Sequence, residues 1–338
     1  MRKLVTLRKI SNIEPIKDAD LIEVVSVDGW KIVVEKGLYK KGSSVLFFEI
    51  DSFLPIEDPR FSTFMNFGTK TFEGKTGHKV STKRIKSIYS QGIVLPIEFF
   101  PEIEKPISDF DYAEQIGVLK YEKPDVEGDF GQSKGSFPWF LKTTDQERIQ
   151  NIYEESFGNN DDFVGTLKLE GSSTTVYYYQ EELGFCSRTI DLKISGENEK
   201  RGLYQRGIEN SDLFTKVKKL YDLTGVHYAI QGELVGPSIR KNYEQFNKYK
   251  VFAFNIFNID TQEYLNYQDF EKFCTLLDIE ICPVIYKSHK ILNENLDVIL
   301  KMADGSGMYV KKREGIVWKS IKSNFQFKAI SNNYLSKK

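Results

Sequence analysis

A lysine, a carboxylate and a glycine lie close together in VGTLKLEGSS, residues 164–173. Lys168 is followed two positions later by Glu170, and Gly171 comes next. Residues i and i+2 of a β-strand point to the same face of a sheet, so a strand here presents an amine beside an acid. That pair can supply a nucleophile and a group that handles charge. Because such a four-residue string arises by chance in about one chain in five of this length, its weight depends on other segments.

Later predicted strands carry more residues that could do chemistry. They are Arg188 after EELGFCS, Glu233 in IQGELVGP, Phe254 in YKVFAFNIFN, Glu314 and Lys319 in REGIVWKS, and Lys328 in FQFKAI. Each also has a structural explanation, because carboxylates and lysines occur at solvated strand ends and phenylalanine occurs in cores. The segments gain significance only as an ordered set, which indicates one site built from several strands.

The elements that must position these residues are predicted from patterning. From Phe137 onward, long strands and short helices predict an α+β domain with antiparallel segments. Thr144 followed by Glu147 is a capping signature that predicts a helix from Asp145 to about Ser156. QDFEKFCTLLDI and NENLDVILKMA have the apolar spacing of short amphipathic helices, and ICPVIYK between them is typical of a strand.

The first hundred residues are dense in short β-branched or alternating runs. The runs are Leu4–Ile10, Leu21–Val27, Trp30–Val34, Ser44–Ile50 and Gly92–Pro96. Turn signals separate them at the spacing of a small barrel, which predicts a five-stranded OB-type β-barrel. Asp28-Gly29 favours positive φ angles and therefore predicts a hairpin between the second and third runs.

A basic stretch and a linker complete the predicted N-terminal region. Residues 68–90 contain six lysines or arginines, Lys83 and Arg84 among them, against one acid, with two aromatic residues interleaved. This composition suits phosphate contacts and base stacking, or alternatively a solvated loop and edge strand. Residues 99–134 are rich in proline, glycine and acids, which predicts a linker. We therefore predict an OB domain plus linker at 1–130, with a candidate nucleic-acid-binding surface, and a second domain at 131–338.

Composition sets limits on the class of protein. The 338 residues are 40% hydrophobic and 14% aromatic, which is enough for two cores. A net charge of −1 means that nucleic-acid binding must rest on local basic patches. Three widely spaced cysteines do not suggest a disulfide framework or a zinc knuckle. No signal peptide or membrane span is evident, so we expect an intracellular protein of the cytoplasm or nucleus.

In their order along the chain, the chemical segments resemble the nucleotidyltransferase motifs of the ATP-dependent polynucleotide ligases. The matching residues are Lys168 to Gly171, Ser187-Arg188, Gly232-Glu233, Phe254-Asn255, Glu314 to Lys319, and Lys328. GELVGPSIRKN and VFAFNIF resemble RNA ligases more than DNA ligases. The preceding barrel and the segment TDQERIQN are similar to the Naegleria-type RNA ligases, whose OB domain is N-terminal. Two positions depart from the pattern, because Gln326 stands where a second lysine is common and Leu167 where a glutamate is common.

The resemblance implies three steps: a lysine attacks the α-phosphorus of ATP, AMP passes to an RNA 5′-phosphate, and a 3′-hydroxyl displaces AMP. It makes Lys168, Glu170 and Lys328 catalytic. It implies a hydrated Mg²⁺ or Mn²⁺ held, through water, by Glu170, Glu233 and Glu314. The implied nucleotide-binding residues are Lys168, Leu167, Leu169, Arg188, Glu233, Phe254, Glu314, Lys319 and Lys328. The candidates for RNA or phosphate contact are Arg148, Lys83, Arg84 and Arg240.

The nucleophile has a physical requirement. A free lysine is neutral only about once in a few thousand molecules at pH 7. Lys168 must therefore lose its proton through nearby positive charge, such as a hydrated metal ion and Lys328, or through desolvation.

The sequence thus predicts a monomeric ATP-dependent RNA ligase of RNA repair, which seals 3′-OH and 5′-phosphate ends at nicks in duplex RNA. Two alternatives stay open: a GTP-using capping guanylyltransferase, and a non-catalytic RNA-binding protein with the same fold.

Overall fold

The computed structural model describes residues 2–122 and 129–336. The chain divides into two units. The first comprises Met1–Lys123, Ile149–Phe157 and Leu335–Lys338, and the second comprises Pro124–Arg148 and Gly158–Tyr334. The domain boundary near residue 130 stays a prediction, and the part of the predicted linker at 123–128 lies outside the described residues.

Short antiparallel strands build the first unit. They are β1 (Val5–Lys9), β2 (Asn12–Pro15), β3 (Ile22–Val27), β4 (Trp30–Glu35), β5 (Ser44–Phe48), β6 (Ser52–Pro55), β7 (Lys70–Phe72), β8 (Lys75–Lys79), β9 (Lys83–Ile85), β10 (Ile88–Ser90), β11 (Ile93–Pro96) and β12 (Leu119–Lys120). The strands pair in the orders β1-β5-β11, β2-β3-β4, β10-β9 and β12-β6-β8-β7. Short 3-10 helices lie at Pro59–Phe67 and Ile97–Phe99.

The hairpin predicted at Asp28-Gly29 is confirmed. Strands β3 and β4 pair from Ile22 opposite Glu35 to Val27 opposite Trp30, and Asp28 has a φ of 47°. Trp30 is fully buried and its ring lies 5.6 Å from that of Phe47 on β5. The turn therefore fixes the register that delivers a large aromatic side chain into the core of this unit.

The helix predicted from Asp145 begins later, because α1 spans Ile149–Ser156. Its residues belong to the first unit, where Asn151 accepts a hydrogen bond from the indole of Trp30 (2.6 Å) and donates one to Glu49 (3.2 Å). The predicted start was wrong because residues 144–148 form hydrogen bonds with strands of the second unit.

Tertiary contacts replace the predicted helix cap. The hydroxyl of Thr144 lies 2.7 Å from that of Ser173, so it does not cap a helix. The carbonyl of Glu147 accepts a hydrogen bond from the backbone N–H of Lys328 at 2.8 Å, and Arg148 forms a parallel bridge with Lys328. This segment is therefore held as an extended edge in the second unit.

Two antiparallel sheets form most of the second unit. Its strands are β13 (Ser133–Ser136), β14 (Phe163–Lys168), β15 (Ser172–Tyr179), β16 (Glu182–Cys186), β17 (Ile190–Leu192), β18 (Tyr228–Val235), β19 (Lys250–Asn258), β20 (Glu263–Tyr264), β21 (Val284–His289), β22 (Gly315–Ser320) and β23 (Gln326–Ile330). The larger sheet has the order β13-β17-β16-β15-β18-β19-β20 and the smaller β21-β14-β22-β23. This confirms the predicted antiparallel α+β organisation.

Helices pack against both sheets of this unit. The helices that follow α1 are α2 (Leu203–Asn210), α3 (Leu213–Thr224), α4 (Tyr267–Leu276), α5 (Leu296–Met302) and the short α6 (Asn332–Leu335), with a 3-10 turn at Ile291–Asn293. Ile208 of α2 and Leu220 of α3 pack with Val176 and Ile230 of the sheet in one buried cluster. Helices α4 and α5 confirm the predicted amphipathic helices, and each begins at an asparagine that caps its first turn. No helix within residues 2–122 and 129–336 has the length and apolarity to cross a membrane.

The pairing of strand β14 with β22 includes one close contact, between Gly165 and the indole of Trp318. Gly165 of β14 pairs with Trp318 of β22, which is fully buried, and a Cβ on Gly165 would lie 2.9 Å from the indole ring. That separation is shorter than carbon contacts in a packed core, so either the indole or the strand must move to admit a methyl group.

We therefore expect Gly165→Ala to weaken the pairing of β14 with β22 by about 1–3 kcal/mol. Amide hydrogen exchange of these two strands should accelerate by roughly 10- to 100-fold. Gly196→Ala is the matched control, because a Cβ there meets open space. Equal exchange in the two variants would show that the indole contact does not limit this position.

Candidate active site

An ion pair between Lys168 and Glu314 lies where strands β14 and β22 meet. Lys168 ends β14 and pairs with Gly315, the first residue of β22. Glu314 directly precedes that strand, and its Oε1 lies 2.9 Å from Lys168 Nζ. A Cβ on Gly315 would lie 2.3 Å from the carbonyl oxygen of Ala329 on β23, so only glycine permits the close approach of β22 to β23 at this position. The Lys168 side chain keeps 24% of its surface exposed, which leaves it accessible to a ligand.

Gly171 brings the strand that bears Glu233 close to the end of β14. Strand β15 begins just after Gly171, and Ser173 on it pairs with Glu233 of β18. A Cβ on Gly171 would lie 2.8 Å from Glu233 Cγ and 2.3 Å from the backbone oxygen of Leu234. The glycine predicted beside the nucleophile therefore has a steric role.

Three carboxylates act on the Lys168 ammonium. Burial by itself lowers the pKa of Lys168, but Glu314, Glu233 and Glu170 together outweigh it and raise that pKa above its ordinary value. The protein alone therefore keeps this amine protonated. Desolvation, one of the two routes to a neutral lysine that the sequence suggested, is outweighed by the acids around it.

The second expected source of positive charge, Lys328, is paired with another acid. Lys328 Nζ donates a hydrogen bond to Asp145 Oδ1 at 3.1 Å, and Arg188 donates one to Asp145 Oδ2 at 3.2 Å. The parallel bridge places the backbone of the buried Arg148 beside Lys328. The structure thus brings three predicted cations into one neighbourhood. It adds Asp145, which the sequence analysis missed because an aspartate in a predicted first helical turn gives no sign of such contacts.

Apolar side chains flank the lysine on both sides along the chain. Leu167 and Leu169 are buried in a cluster with Val235, Phe252 and Cys282, and the half-buried Phe254 packs against that cluster. The register between β18 and β19 shifts at Phe254, since Gln231 pairs with Asn255 and Gly232 with Ala253. Such a bulge re-aims a side chain, and bulges are common beside active sites.

Lys319 lies deep in the second unit. Its side chain is 5% exposed, and its Nζ donates a hydrogen bond to Asn255 Oδ1 at 2.7 Å. The ammonium lies 5.8 Å from the ring centroid of Phe254 and 5.0 Å from that of Phe270. Burial lowers the pKa of Lys319 to about 8. Lys319 therefore supports the aromatic side of the site.

Other predicted contacts fall at different places. Arg240 donates a hydrogen bond from Nε to the backbone oxygen of Gly171 at 3.2 Å, so it braces the segment that follows Glu170. Lys83 and Arg84 belong to the first unit, on the exposed strand β9, where the Arg84 guanidinium lies 5.7 Å from the ring of Tyr89.

Two tyrosines that the sequence analysis missed also lie near the acids. The rings of Tyr243 and Tyr334 meet edge to face at 5.2 Å, and Tyr334 is buried. Burial, followed by the charges of Glu314 and Glu170, raises the pKa of the Tyr334 phenol. Both phenols therefore stay neutral beside the carboxylates, and no motif in the sequence marked them.

The predicted metal site consists of three carboxylates, those of Glu170, Glu233 and Glu314. Within residues 2–122 and 129–336, no three histidine, cysteine or acidic side chains converge closely enough to hold a metal ion directly. Glu170, Glu233 and Glu314 nevertheless all act on one amine, so they surround a common space. Contact with a hydrated ion through its waters fits that spacing, because Mg²⁺ in proteins commonly keeps several waters.

Lys319 generates a pH prediction. Its pKa is about 8 in the folded chain and near 10.5 when unfolded, so between these values the unfolded state binds more protons. The free energy of unfolding that Lys319 contributes therefore rises with pH from about 8 to 10.5. We expect the stability of wild type minus that of Lys319→Met to increase by up to about 1.4 kcal/mol per pH unit in this range. Denaturant unfolding from pH 7 to 9.5 measures it, with Lys218→Met, at an exposed position of α3, as the control for replacing a lysine by methionine. A difference that does not change with pH would contradict the lowered pKa of Lys319.

Two protein-family models match different parts of this chain. A family model described as RNA ligase matches residues 161–331, and a model described as an OB-fold domain matches residues 4–97. The search of curated proteins finds no match. The OB-type barrel predicted for the N-terminal region is thereby confirmed.

Solved structures of Naegleria gruberi RNA ligase are similar over the whole chain. The ligase with PPi has a TM-score of 0.92 and 33% identity, and a lysine-to-methionine variant with AMP and Mn has a TM-score of 0.91 and 33% identity. In both cases the match covers 100% of this chain and 99% of the other. A lysine-to-alanine variant with ATP and Mn has a TM-score of 0.90 and 34% identity, covering 99% of each chain. This chain therefore belongs to the RNA ligase family.

Proposed function

We propose that this chain is an ATP-dependent RNA ligase that joins 3′-OH and 5′-phosphate ends through an AMP carried on Lys168 and then on the RNA 5′-end. One observation carries the proposal: Lys168 Nζ lies 2.9 Å from Glu314 and under the influence of Glu233 and Glu170. An amine among acids, still partly exposed, suits a nucleophile whose proton is removed only when a ligand changes the local charge.

The residues around Lys168 set the conditions of the first step. The carboxylates of Glu314, Glu233 and Glu170 keep the amine protonated, which prevents reaction in the empty site. A divalent cation, present as manganese in the AMP and ATP complexes of the Naegleria variants, would supply positive charge that offsets these acids and stabilises charge on the α-phosphate. Glu314, 2.9 Å from the amine, would accept the departing proton.

The nucleotide would be oriented by groups on either side of the lysine. Phe254, re-aimed by the bulge, would stack on adenine, with Leu167 and Leu169 forming the apolar floor. Arg188 and Lys328 would bind phosphate oxygens, Arg188 through its planar fork. Lys319, buried against Phe254, would hold that ring in place.

The second and third steps require RNA ends beside the same lysine. We propose nicked duplex RNA as the substrate and a monomer as the active form. Arg148 and Arg240, which lie beside Lys328 and Gly171, would contact phosphates near the reacting end. Lys83 and Arg84, exposed on β9 of the first unit, would contact the RNA backbone.

Two other functions remain to be separated from this one by experiment. A capping guanylyltransferase would form its lysyl adduct with GTP. A non-catalytic RNA-binding protein would form no adduct with either nucleotide. The presence of Lys168, Glu233, Glu314 and Lys328 favours catalysis.

Incubation with α-labelled ATP and Mg²⁺ or Mn²⁺ should give a covalently labelled protein, and Lys168→Ala should abolish the label because it removes the attacking amine. Lys218→Ala, an exposed lysine of α3, is the matched control and should label like wild type. A labelled Lys168→Ala protein, or label from GTP alone, would contradict the proposed nucleophile or nucleotide.

The first unit provides a separate prediction. Replacing both Lys83 and Arg84 with alanine should weaken binding to nicked duplex RNA and reduce the slope of log K against log salt by about 1–2, because each lost phosphate contact releases about one fewer counterion. Adenylylation of the protein should be unchanged. Binding measured at several salt concentrations, together with sealing of an RNA nick, a DNA nick and single-stranded RNA, tests the surface and the substrate. An unchanged salt slope would exclude these side chains from RNA contact.

A further inference from the structure

Asp145 forms a bridge between two cations of the site. Its carboxylate oxygen Oδ1 accepts a hydrogen bond from Lys328 at 3.1 Å, and Oδ2 accepts one from Arg188 at 3.2 Å. The Asp145 side chain is 18% exposed, so a ligand that reaches the two cations also meets this carboxylate. Arg188 follows β16 and Lys328 lies on β23, whereas Asp145 lies in the segment before α1. Three distant parts of the chain therefore meet at this carboxylate.

The backbone that carries Asp145 is fixed by bonds of its own. Side chains of the second unit donate hydrogen bonds to three successive parts of the segment: Gln262 to the carbonyl of Phe140 (3.0 Å), Gln231 to that of Lys142 (2.7 Å) and Tyr264 to that of Thr143 (3.0 Å). The hydroxyls of Thr144 and Ser173 then lie 2.7 Å apart, and the N–H of Lys328 bonds to the carbonyl of Glu147. Asp145 therefore sits on a rigid segment and is delivered to the two cations.

Two neighbouring cations repel each other unless an anion lies between them. A carboxylate that offers one oxygen to each cation reproduces what two oxygens of a phosphate would offer. We propose that Asp145 is a positioning residue that acts as an internal substitute for phosphate: it holds Arg188 and Lys328 ready in the empty site and gives them up to the phosphate of the incoming ligand. This inference rests on the proposed function.

The exchange has a measurable consequence for affinity. An incoming phosphate must replace the Asp145 carboxylate on both cations and lie near its charge, so the carboxylate opposes binding. An amide at the same position removes that opposing charge and keeps the size of the side chain. If Asp145 instead bound the ligand, directly or through a hydrated ion, the amide would weaken binding. If Asp145 only maintained the fold, the amide would alter stability and leave affinity unchanged.

The test measures pyrophosphate binding without divalent metal, by titration calorimetry, in the Lys168→Ala protein, where no adduct can form. Adding Asp145→Asn should tighten binding about ten-fold, equivalent to about 1.4 kcal/mol. Asp145→Glu, which keeps the charge, should remain within a few-fold of the parent. Asp222→Asn, an exposed acid paired with Lys218 on α3, is the matched control and should have no effect.

A second neutral variant and a kinetic measurement check the effect on affinity independently. Asp145→Ser, small and neutral, should shift affinity in the same direction as Asp145→Asn. In the protein that retains Lys168, Asp145→Asn should lower the KM for ATP in adenylylation and also lower kcat, because the cations are less well held. Unchanged or weaker pyrophosphate binding in both neutral variants would overturn the role of Asp145. Normal ATP labelling of wild type in that case would leave the ligase assignment intact, whereas failure of labelling would overturn the assignment itself.

Discussion

The pairing of β14 with β22 is the constraint on which the site depends. It puts the amine of Lys168 at the end of one strand and the carboxylate of Glu314 at the start of the next, 2.9 Å apart. Gly165 permits that close pairing, because a Cβ there would meet the indole of Trp318, and Gly315 permits an equally close approach of β22 to β23. The buried side chain of Trp318 packs against Gly165 and stabilises the pairing of the two strands. The placement of this amine beside this carboxylate is therefore a direct result of backbone packing.

Charges in the second unit are compensated within the protein before any ligand arrives. The positive charge of Lys168 is balanced by nearby acids, with Glu314 in direct contact, and the charges of Arg188 and Lys328 are balanced by Asp145. Partly buried charges that lacked partners would cost several kcal/mol each, so these pairs make an empty site compatible with a stable fold. A nucleotide with its cation carries both signs of charge. Its phosphates can replace Asp145 as the partner of Arg188 and Lys328, and its cation can pair with the acids around Lys168. The site is thus built for a ligand of mixed charge.

The sequence predicted most of the strands and the ordered set of site residues, because alternation and turn chemistry are local signals. Helices α2 and α3 were missed, and α1 was started too early, because the capping signature at Thr144 was overridden by bonds to strands far along the chain. Asp145 was missed for the same reason. It is 43 residues from Arg188 and 183 from Lys328, and such contacts follow from topology alone. Motifs identify groups that act on substrate better than groups that position them.

The cations proposed to contact RNA or phosphate divide into two kinds by burial. Because the net charge is only −1, the chain as a whole does not attract polyanions, and in the proposed function the exposed Lys83 and Arg84 supply an attraction that salt screens. Arg148 and Lys328 are buried, so they attract little at a distance but keep defined positions. Buried cations are the ones that can orient a phosphate to within a fraction of an ångström. In the proposed function, affinity for RNA and geometry at the reacting phosphate therefore depend on separate residues.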